Sequence, residues 1–163
     1  MNKAPHQMLE GMIIAAYAIG CHTSFIYIRG EFYKEYKLLE KVVAEAYENN
    51  LLGDNILGSN YSLDVVIHRG AGAYICGEET GLIESLEGKR GWPRIKPPFP
   101  AIEGYLKSPT IVNNVETLSC LPHIVNRGAG WFKSIGSEKV PGPRLFCISG
   151  CVTNPGVFEE PMG

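Results

Sequence analysis

Apolar residues recur at intervals of three and four in two segments of the chain, which is the spacing of one face of an α-helix. The first segment runs from Leu9 to Tyr17 and is apolar almost all round, and Gly20 stands where such a helix would stop. The second runs from Phe32 to Asn50 and carries charged residues between its apolar ones, which suits a helix with one wet face. The pattern therefore predicts two helices.

Two short runs rich in β-branched and aromatic residues lie on either side of the second helix. Ser24–Arg29 has no polar alternation, which is the composition of a strand covered on both faces, and Leu63–His68 also has the character of a central strand. Strand, helix and strand in this order form a βαβ unit, whose crossover is right-handed and whose strands are parallel. We therefore predict an α/β fold.

A glycine-rich segment with two carboxylates begins where the second strand ends. It is Gly-Ala-Gly-Ala-Tyr-Ile-Cys-Gly-Glu-Glu-Thr, from Gly70 to Thr80, and we call it the glycine loop. Glycines let a backbone approach a flat ligand closely, and the ligands of open α/β sheets bind at the carboxyl ends of the strands. Position and composition thus both predict a nucleotide site at the glycine loop.

The acidic residues of the loop decide which part of a nucleotide it suits. Its glycines do not fit the G-x-G-x-x-G fingerprint, and Glu78 and Glu79 would repel a phosphate at the start of the short helix predicted over Glu79–Glu87. Carboxylates accept hydrogen bonds, so they suit ribose hydroxyls, a carboxamide or ring N–H groups. The alternative is that both residues only cap a helix on a solvated surface.

The second half of the chain is predicted to be a connector followed by a helix and a strand. Five prolines make Gly88–Pro109 an extended connector or a binding loop. Asn113, three residues before Glu116, resembles a helix cap, and Pro122 is expected to kink or restart that helix. The last clear element is a strand at Arg144–Ser149, which an Asn-Pro-Gly turn follows.

Several groups in this half have two interpretations each. Phe99, held between two prolines, offers a face for a heterocycle to stack on or else anchors a loop to the core. Asn113, Asn114 and Thr117 are neutral groups that reach phosphate or ribose or else cap a helix. Basic residues of the connector can balance a ligand's charge, although a solvated loop is the favoured interpretation. These basic residues are Arg90, Arg94 and Lys96.

Composition and charge exclude several classes of function. The 163 residues are 45% apolar, enough for a globular core, and a net charge of -2 argues against nucleic acid and anionic membranes as partners. Five cysteines without a four-cysteine cluster indicate neither a disulfide framework nor an iron–sulfur or zinc site within the chain. No metal-binding set and no acid–base pair stand out, which suits a protein whose cofactor carries the reaction.

Five segments of the chain occur together, in one order, in a known family. They are LEGMIIAAY from Leu9, YIRGE from Tyr27, the glycine loop, KPPFPA from Lys96 and NNVET from Asn113. In this order they resemble the NADH-binding, FMN-carrying flavoprotein subunit of respiratory complex I and the diaphorase subunits of NAD-linked hydrogenases and formate dehydrogenases. The resemblance implies a Rossmann-like parallel sheet with the βαβ crossover, followed by the start of a β-grasp-like domain.

The resemblance also implies an activity and a set of site residues. In the family, hydride passes from NADH to a non-covalent FMN, and single electrons leave for iron–sulfur clusters and then quinone. The residues that would line the FMN are Gly70, Gly72, Tyr74, Gly77, Glu78, Asn113, Asn114 and Thr117. Glu79 would be the catalytic residue where nicotinamide stacks on the flavin, and it would disfavour the 2′-phosphate of NADPH. Phe99 would help to bind the NADH adenine.

The chain departs from the family pattern at both ends. The family's N-terminal glycine-rich FMN and NADH loop would precede Pro5, and a C-terminal cysteine cluster would hold a 4Fe-4S cluster, but neither is in this sequence. We therefore expect residues 1–143 to be part of the FMN- and NADH-binding α/β domain and residues 144–163 to be a truncated β-grasp-like beginning. The chain alone is expected to bind FMN weakly if at all, without NADH dehydrogenase activity.

The resemblance leaves three interpretations. The main one is a part of complex I, with NADH and the other subunits of the NADH dehydrogenase module, including an iron–sulfur subunit, as partners. A diaphorase subunit of a hydrogenase or formate dehydrogenase shares the same motifs, and a non-catalytic binding or assembly fragment would keep the fold alone. The implied location is the cytoplasmic side of a bacterial inner membrane or the mitochondrial matrix, with membrane association only through the complex.

Overall fold

The computed structural model describes all residues from 1 to 163. Its helices are α1 Pro5–Ile19, α2 Tyr33–Glu48, α3 Glu79–Leu86, α4 Val115–Arg127 and α5 Ala129–Lys133. Its strands are β1 Thr23–Ile28, β2 Asp64–Arg69, β3 Gly136–Ser137, β4 Val140–Pro141, β5 Pro143–Ile148 and β6 Gly156–Pro161. Single 3₁₀ turns cover Ile56–Gly58, Tyr74–Gly77 and Tyr105–Lys107. None of the helices has the length and apolar character needed to cross a lipid bilayer.

The two helices predicted from periodicity form the base of the core. α1 ends at Gly20, which takes a left-handed conformation with φ of 67° and returns its N–H to the last turn of the helix. Met8 and Met12 of α1 are buried in one cluster with Leu39 and Val42 of α2. Burial of such side chains contributes about 1.5–3 kcal/mol each. The sheet packs against this cluster.

The predicted βαβ unit is confirmed. β1 and β2 pair in parallel, from Thr23 opposite Asp64 to Ile28 opposite Arg69, and α2 lies between them in the chain. Since both strands run the same way, their carboxyl ends meet at one edge of the sheet. Gly70 and the glycine loop begin at that edge.

The sheet is not covered on both faces by this chain, contrary to the expectation from its composition. Ile26, Ile28 and Val65 are buried against the helical cluster, because alternate residues of a strand face the same side. On the opposite face Val66 is 45% exposed, and Phe25 is covered only in part by the ring of Tyr105 at 4.9 Å.

α4 differs from its predicted course at two points. Its N-cap is Asn114, whose side-chain oxygen accepts the Glu116 N–H at 2.7 Å, so the cap lies one residue later than the predicted Asn113. Of the kink or restart predicted at Pro122, the restart does not occur, since one helix runs through Pro122 to Arg127.

Pro122 lies where α4 packs on α1. Proline has no N–H, so the Leu118 carbonyl one turn earlier loses its helical donor. That carbonyl lies against Gly11 of α1, and a side-chain carbon at Gly11 would overlap it. The two helices therefore approach closely at the turn of α4 that contains Pro122.

The C-terminal residues form the predicted strand within an antiparallel hairpin. β5 and β6 pair over six residue pairs, on either side of the turn that precedes Gly156. The Leu145 N–H donates to Glu116 Oε1 at 2.8 Å, and Arg144 lies 3.7 Å from the other oxygen of the same carboxylate. Glu116 thus docks the hairpin on the first turn of α4.

The α1–α4 contact yields a stability prediction. Gly11→Ala gains helix propensity but places a carbon against the Leu118 carbonyl, so we expect a net loss of about 1–3 kcal/mol of unfolding free energy. Gly130→Ala in α5 is the matched control, since nothing lies within 4 Å of the added carbon. Urea unfolding followed by circular dichroism measures both, and equal stability of the two variants would contradict this packing.

Candidate functional site

The glycine loop is seated on the end of β1. The Gly70 N–H donates to the Ile28 carbonyl at 2.8 Å, which continues the sheet by one residue. A side chain at Gly70 would overlap the Tyr27 phenol, and one at Gly30 would overlap the Gly70 carbonyl. The two loops that leave β1 and β2 therefore touch backbone to backbone, and only glycines permit this approach.

Beyond Gly70 the loop presents its surface to solvent. Gly72 has φ of 90°, which glycine adopts without strain, and the Tyr74 side chain is 92% exposed. Cys76 is buried instead, and its Sγ occupies the space that a side chain at Gly91 would need. The loop is thus anchored by Cys76 and leaves Tyr74 free for a ligand.

Glu78 is the N-cap of α3, as the capping interpretation required. Its Oε2 accepts the N–H groups of Thr80 and Gly81, both at 2.9 Å, and the Thr80 hydroxyl at 2.5 Å. Partial burial raises the pKa of Glu78, but these donors together with Lys96 outweigh burial and lower it to about 2. Glu78 is therefore an ionised acceptor at neutral pH.

Lys96 joins the two loop carboxylates. Its Nζ lies 3.1 Å from Glu78 Oε1 and also donates to Glu79 Oε1, and these hydrogen bonds raise the Lys96 pKa. The side chains of all three residues are between about a quarter and two fifths exposed. Lys96 therefore does not belong to a solvated loop, as the sequence favoured, but to the site itself.

Arg94 likewise has a defined structural place. Its guanidinium binds Glu84, lies 2.8 Å from Glu87 and donates to the Gly104 carbonyl at 2.9 Å. Glu87 also accepts the Leu106 N–H at 2.9 Å. This network ties both ends of the proline-rich connector to α3, so the expectation of a solvated connector is wrong here as well. Arg90 remains exposed.

The remaining predicted site residues lie on two separate segments. Phe99 is 55% exposed on a turn of the connector, so it is not a core anchor. Asn114 caps α4, while Asn113 and Thr117 are exposed beside it. No hydrogen bond joins these three polar residues to the glycine loop. Asn113 does line a groove of about 720 Å³ that extends along β1 to Tyr27.

A second groove lies elsewhere on the molecule, between α1, α2 and the residues after α2. It has a volume of about 520 Å³ and a mostly apolar lining that includes Ile13 and Leu57. At its rim His6 and Glu45 hydrogen-bond at 3.0 Å, so this carboxylate already has a partner. None of the predicted site residues lines this second groove, so the glycine loop and the first groove, which Asn113 lines, remain the candidate site.

Known proteins are similar in sequence to this chain over its whole length. The family model described as the Nuo51 FMN-binding domain matches residues 1–123. An NADH-quinone oxidoreductase subunit of Rhizobium meliloti (strain 1021) is 58% identical over all 163 residues, which are 39% of its own length. The mitochondrial NADH dehydrogenase [ubiquinone] flavoprotein 1 of Dictyostelium discoideum is 54% identical over 99% of this chain and 34% of its own.

Solved structures agree with these sequences. The crystal structure of an NAD+-reducing [NiFe]-hydrogenase in the H2-reduced state superposes with a TM-score of 0.87 at 42% identity. The match covers 98% of this chain and 27% of that one. The α/β fold is therefore shared, and the chain spans well under half the length of each of these relatives.

The acidic groups around α3 predict an acid-sensitive stability. The pKa of Glu87 is lowered to about 2, because hydrogen bonds from Lys89, the Leu106 N–H and Arg94 outweigh its burial. A carboxyl whose folded pKa lies below the unfolded value of about 4.3 stabilises the protein above that value, and this contribution is lost as pH falls toward 2. We expect the melting temperature to fall between pH 5 and pH 2.

The variant Glu87→Gln measures the part of the stability that comes from the ionised Glu87 carboxylate. It should cost about 1–2 kcal/mol at pH 7, where the charge-assisted bonds are intact, and should flatten the acid decline. Glu138→Gln is the control, because Glu138 is exposed and forms no ion pair. A pH profile of the melting temperature that is identical for Glu87→Gln and the unmodified chain would contradict the assignment.

Proposed function

The chain belongs to the family of Nuo51 FMN-binding domains, and from this premise we propose that it forms part of the flavoprotein of an NADH:quinone oxidoreductase. The observation that carries the proposal is the pair of carboxylates, Glu78 and Glu79, that Lys96 bridges within the glycine loop after β2. Bound FMN supplies the redox chemistry, taking hydride from NADH and releasing single electrons to iron–sulfur clusters. This chain holds and orients the two nucleotides.

The chemistry of the exposed groups fits a flavin nucleotide. The groove past β1 has the size of small-molecule sites, about 300–1,000 Å³, and its mostly apolar lining suits a flat ring. Asn113 lines this groove, and Asn114 and Thr117 lie beside it at the start of α4. The glycine loop is outside the lining of the groove, and we assign to its Tyr74 and Glu78, next to Gly70, Gly72 and Gly77, an aromatic face and a hydrogen-bond acceptor for the flavin. The Asn114 oxygen caps α4, which leaves its side-chain N–H groups to donate to a phosphate.

Glu79 and Phe99 face the reducing substrate in this proposal. The Glu79 carboxylate accepts hydrogen bonds from the nicotinamide side and orients it, while the exposed Phe99 ring stacks on the adenine. In this proposal no side chain of the protein donates or accepts a proton during hydride transfer. Glu79 acts by its position and charge, and Lys96 holds it in place.

The partners follow from the same family membership. We assign NADH as the reductant and other subunits of an NADH dehydrogenase module, including an iron–sulfur subunit, as neighbours. Identities of 58% and 54% to the quinone-linked proteins, against 42% to the hydrogenase structure, support the quinone-linked assignment over a hydrogenase diaphorase. Attachment to a membrane through the complex, on the cytoplasmic or matrix side, is part of the proposal.

A chimaera tests the function directly. Residues 1–163 replace the matching stretch of the Rhizobium meliloti relative, which covers the whole of this chain. We expect the purified chimaera to carry FMN, seen in its visible flavin absorption, and to reduce ferricyanide with NADH. A folded chimaera that carries no flavin would overturn the proposal. The unmodified relative is the positive control, and the 163-residue chain alone is expected to bind FMN only weakly.

Glu79 generates a prediction on coenzyme preference. In the chimaera, Glu79→Gln removes a negative charge from the site and so lowers the like-charge repulsion of the 2′-phosphate of NADPH. We expect kcat/KM for NADPH relative to NADH to rise about threefold, the size of a screened charge interaction across the length of the bound coenzyme. Glu103→Gln, an exposed change on the connector, should leave the ratio unaltered. An unchanged ratio in Glu79→Gln would remove Glu79 from this role.

A further inference from the structure

Thr80 is the one polar residue among those that are almost completely buried. It is 1% exposed, whereas the other residues below 2% have apolar side chains. Its hydroxyl donates to Glu78 Oε2 at 2.5 Å and accepts the Arg94 N–H at 2.8 Å. The hydroxyl is therefore used in both directions, and no buried side-chain nitrogen or oxygen in the structure lacks a partner.

The two hydrogen bonds of the Thr80 hydroxyl connect two segments that are separated in the sequence. Glu78 belongs to the glycine loop and caps α3, while Arg94 begins the part of the connector that carries Lys96 and Phe99. Two residues after Arg94, Lys96 binds the opposite oxygen of the Glu78 carboxylate. The Glu78 carboxylate is thus held from both oxygens, by Thr80 on one and by Lys96 on the other.

Capping alone does not require the hydroxyl. The N–H groups of Thr80 and Gly81 already satisfy the start of α3 through Glu78 Oε2. The hydroxyl adds a third donor to the same oxygen, and it accepts the Arg94 backbone N–H, which its removal would leave unpaired beside a buried side chain. Its distinct contribution is to fix the carboxylate relative to the connector.

We propose that Thr80 is a positioning residue of the nucleotide site: its hydroxyl sets the direction of the Glu78 carboxylate and the place of the Lys96 segment that faces it. The ligand part of this inference rests on the proposed function, because Glu78 is there a contact of FMN. Loss of the hydroxyl leaves the fold and the backbone cap in place, but it loosens the carboxylate and the connector together.

Two substitutions isolate the hydroxyl. Thr80→Val keeps the shape and the buried methyl group but removes the donor and acceptor, and Thr80→Ser keeps both polar functions. Carbon-13 NMR of the Glu78 carboxyl in the 163-residue chain reads the contact of Thr80 with Glu78 without any cofactor. The charged groups that face Glu78 in this titration are Lys96 and Glu79, and they are unchanged in both variants.

The expected titration has a clear direction. The Glu78 pKa of about 2 should rise in Thr80→Val, which corresponds to about tenfold tighter proton binding, and should stay in place in Thr80→Ser. The Glu40 carboxyl serves as an internal control, because its donors, Lys37 and Tyr36, lie on α2 and contact neither Thr80 nor the connector. An unchanged Glu78 titration in Thr80→Val would overturn the proposal.

The chimaera then tests the consequence for the ligand. FMN binding should weaken about tenfold in Thr80→Val, as for the loss of one charge-assisted hydrogen bond, and Thr80→Ser should remain within about twofold of the unmodified protein. A shifted Glu78 titration with unaltered FMN affinity would overturn the positioning role in the nucleotide site. If the unmodified chimaera binds no FMN, the proposed function fails, and the Glu78 titration still decides whether Thr80 holds the carboxylate.

Discussion

The cap that Glu78 places on α3 is the interaction on which the candidate site depends. One oxygen of the Glu78 carboxylate accepts hydrogen bonds from two N–H groups at the start of α3 and from the Thr80 hydroxyl. Its second oxygen accepts a hydrogen bond from Lys96. Partial burial raises the pKa of Glu78, and these donors outweigh burial and lower it to about 2. The same contacts therefore order the helix, direct the acceptor and bring the connector to the loop.

Hydrophobic burial stabilises the βαβ unit and polar contacts stabilise the connector, and the candidate site lies where these two parts of the molecule meet. The βαβ unit is held by an apolar cluster of α1, α2 and the sheet, which provides a rigid base. The proline-rich connector has little regular structure, and Arg94 attaches it to α3 through Glu84, Glu87 and the Gly104 carbonyl. Exposed ion pairs contribute little, but here the Glu87 side chain is only 5% exposed and the pairs form a network. Polar contacts thus position the residues of the connector, which lie outside the hydrophobic core.

Sequence periodicity was sufficient for the elements whose order is local. Both long helices, the parallel strands and the C-terminal strand lie within a few residues of their predicted bounds, because apolar periodicity specifies the helices and β-rich composition specifies the strands. The contacts that were not predicted are tertiary: the turn of α4 that contains Pro122 packs on Gly11 of α1, and that contact joins distant parts of the chain. The ion pairs that Arg94 and Lys96 each form with acidic residues were not predicted, for the same reason. A charged residue in a proline-rich segment has no period that would reveal its partner.

The pairing of Lys96 with two carboxylates bears on why acidic residues can stand at a nucleotide site. Two unpaired carboxylates side by side would repel each other, and partial burial would add to the cost. Lys96 compensates one of the two charges, and the Thr80 hydroxyl and α3 amides disperse the other. A ligand that offers hydroxyl or amide donors then adds to a site that is already satisfied, or replaces Lys96 on one oxygen, without leaving a buried charge unpaired. In the proposed function a ligand phosphate would meet a residual negative charge instead, so the candidate site suits the donor-rich parts of a nucleotide.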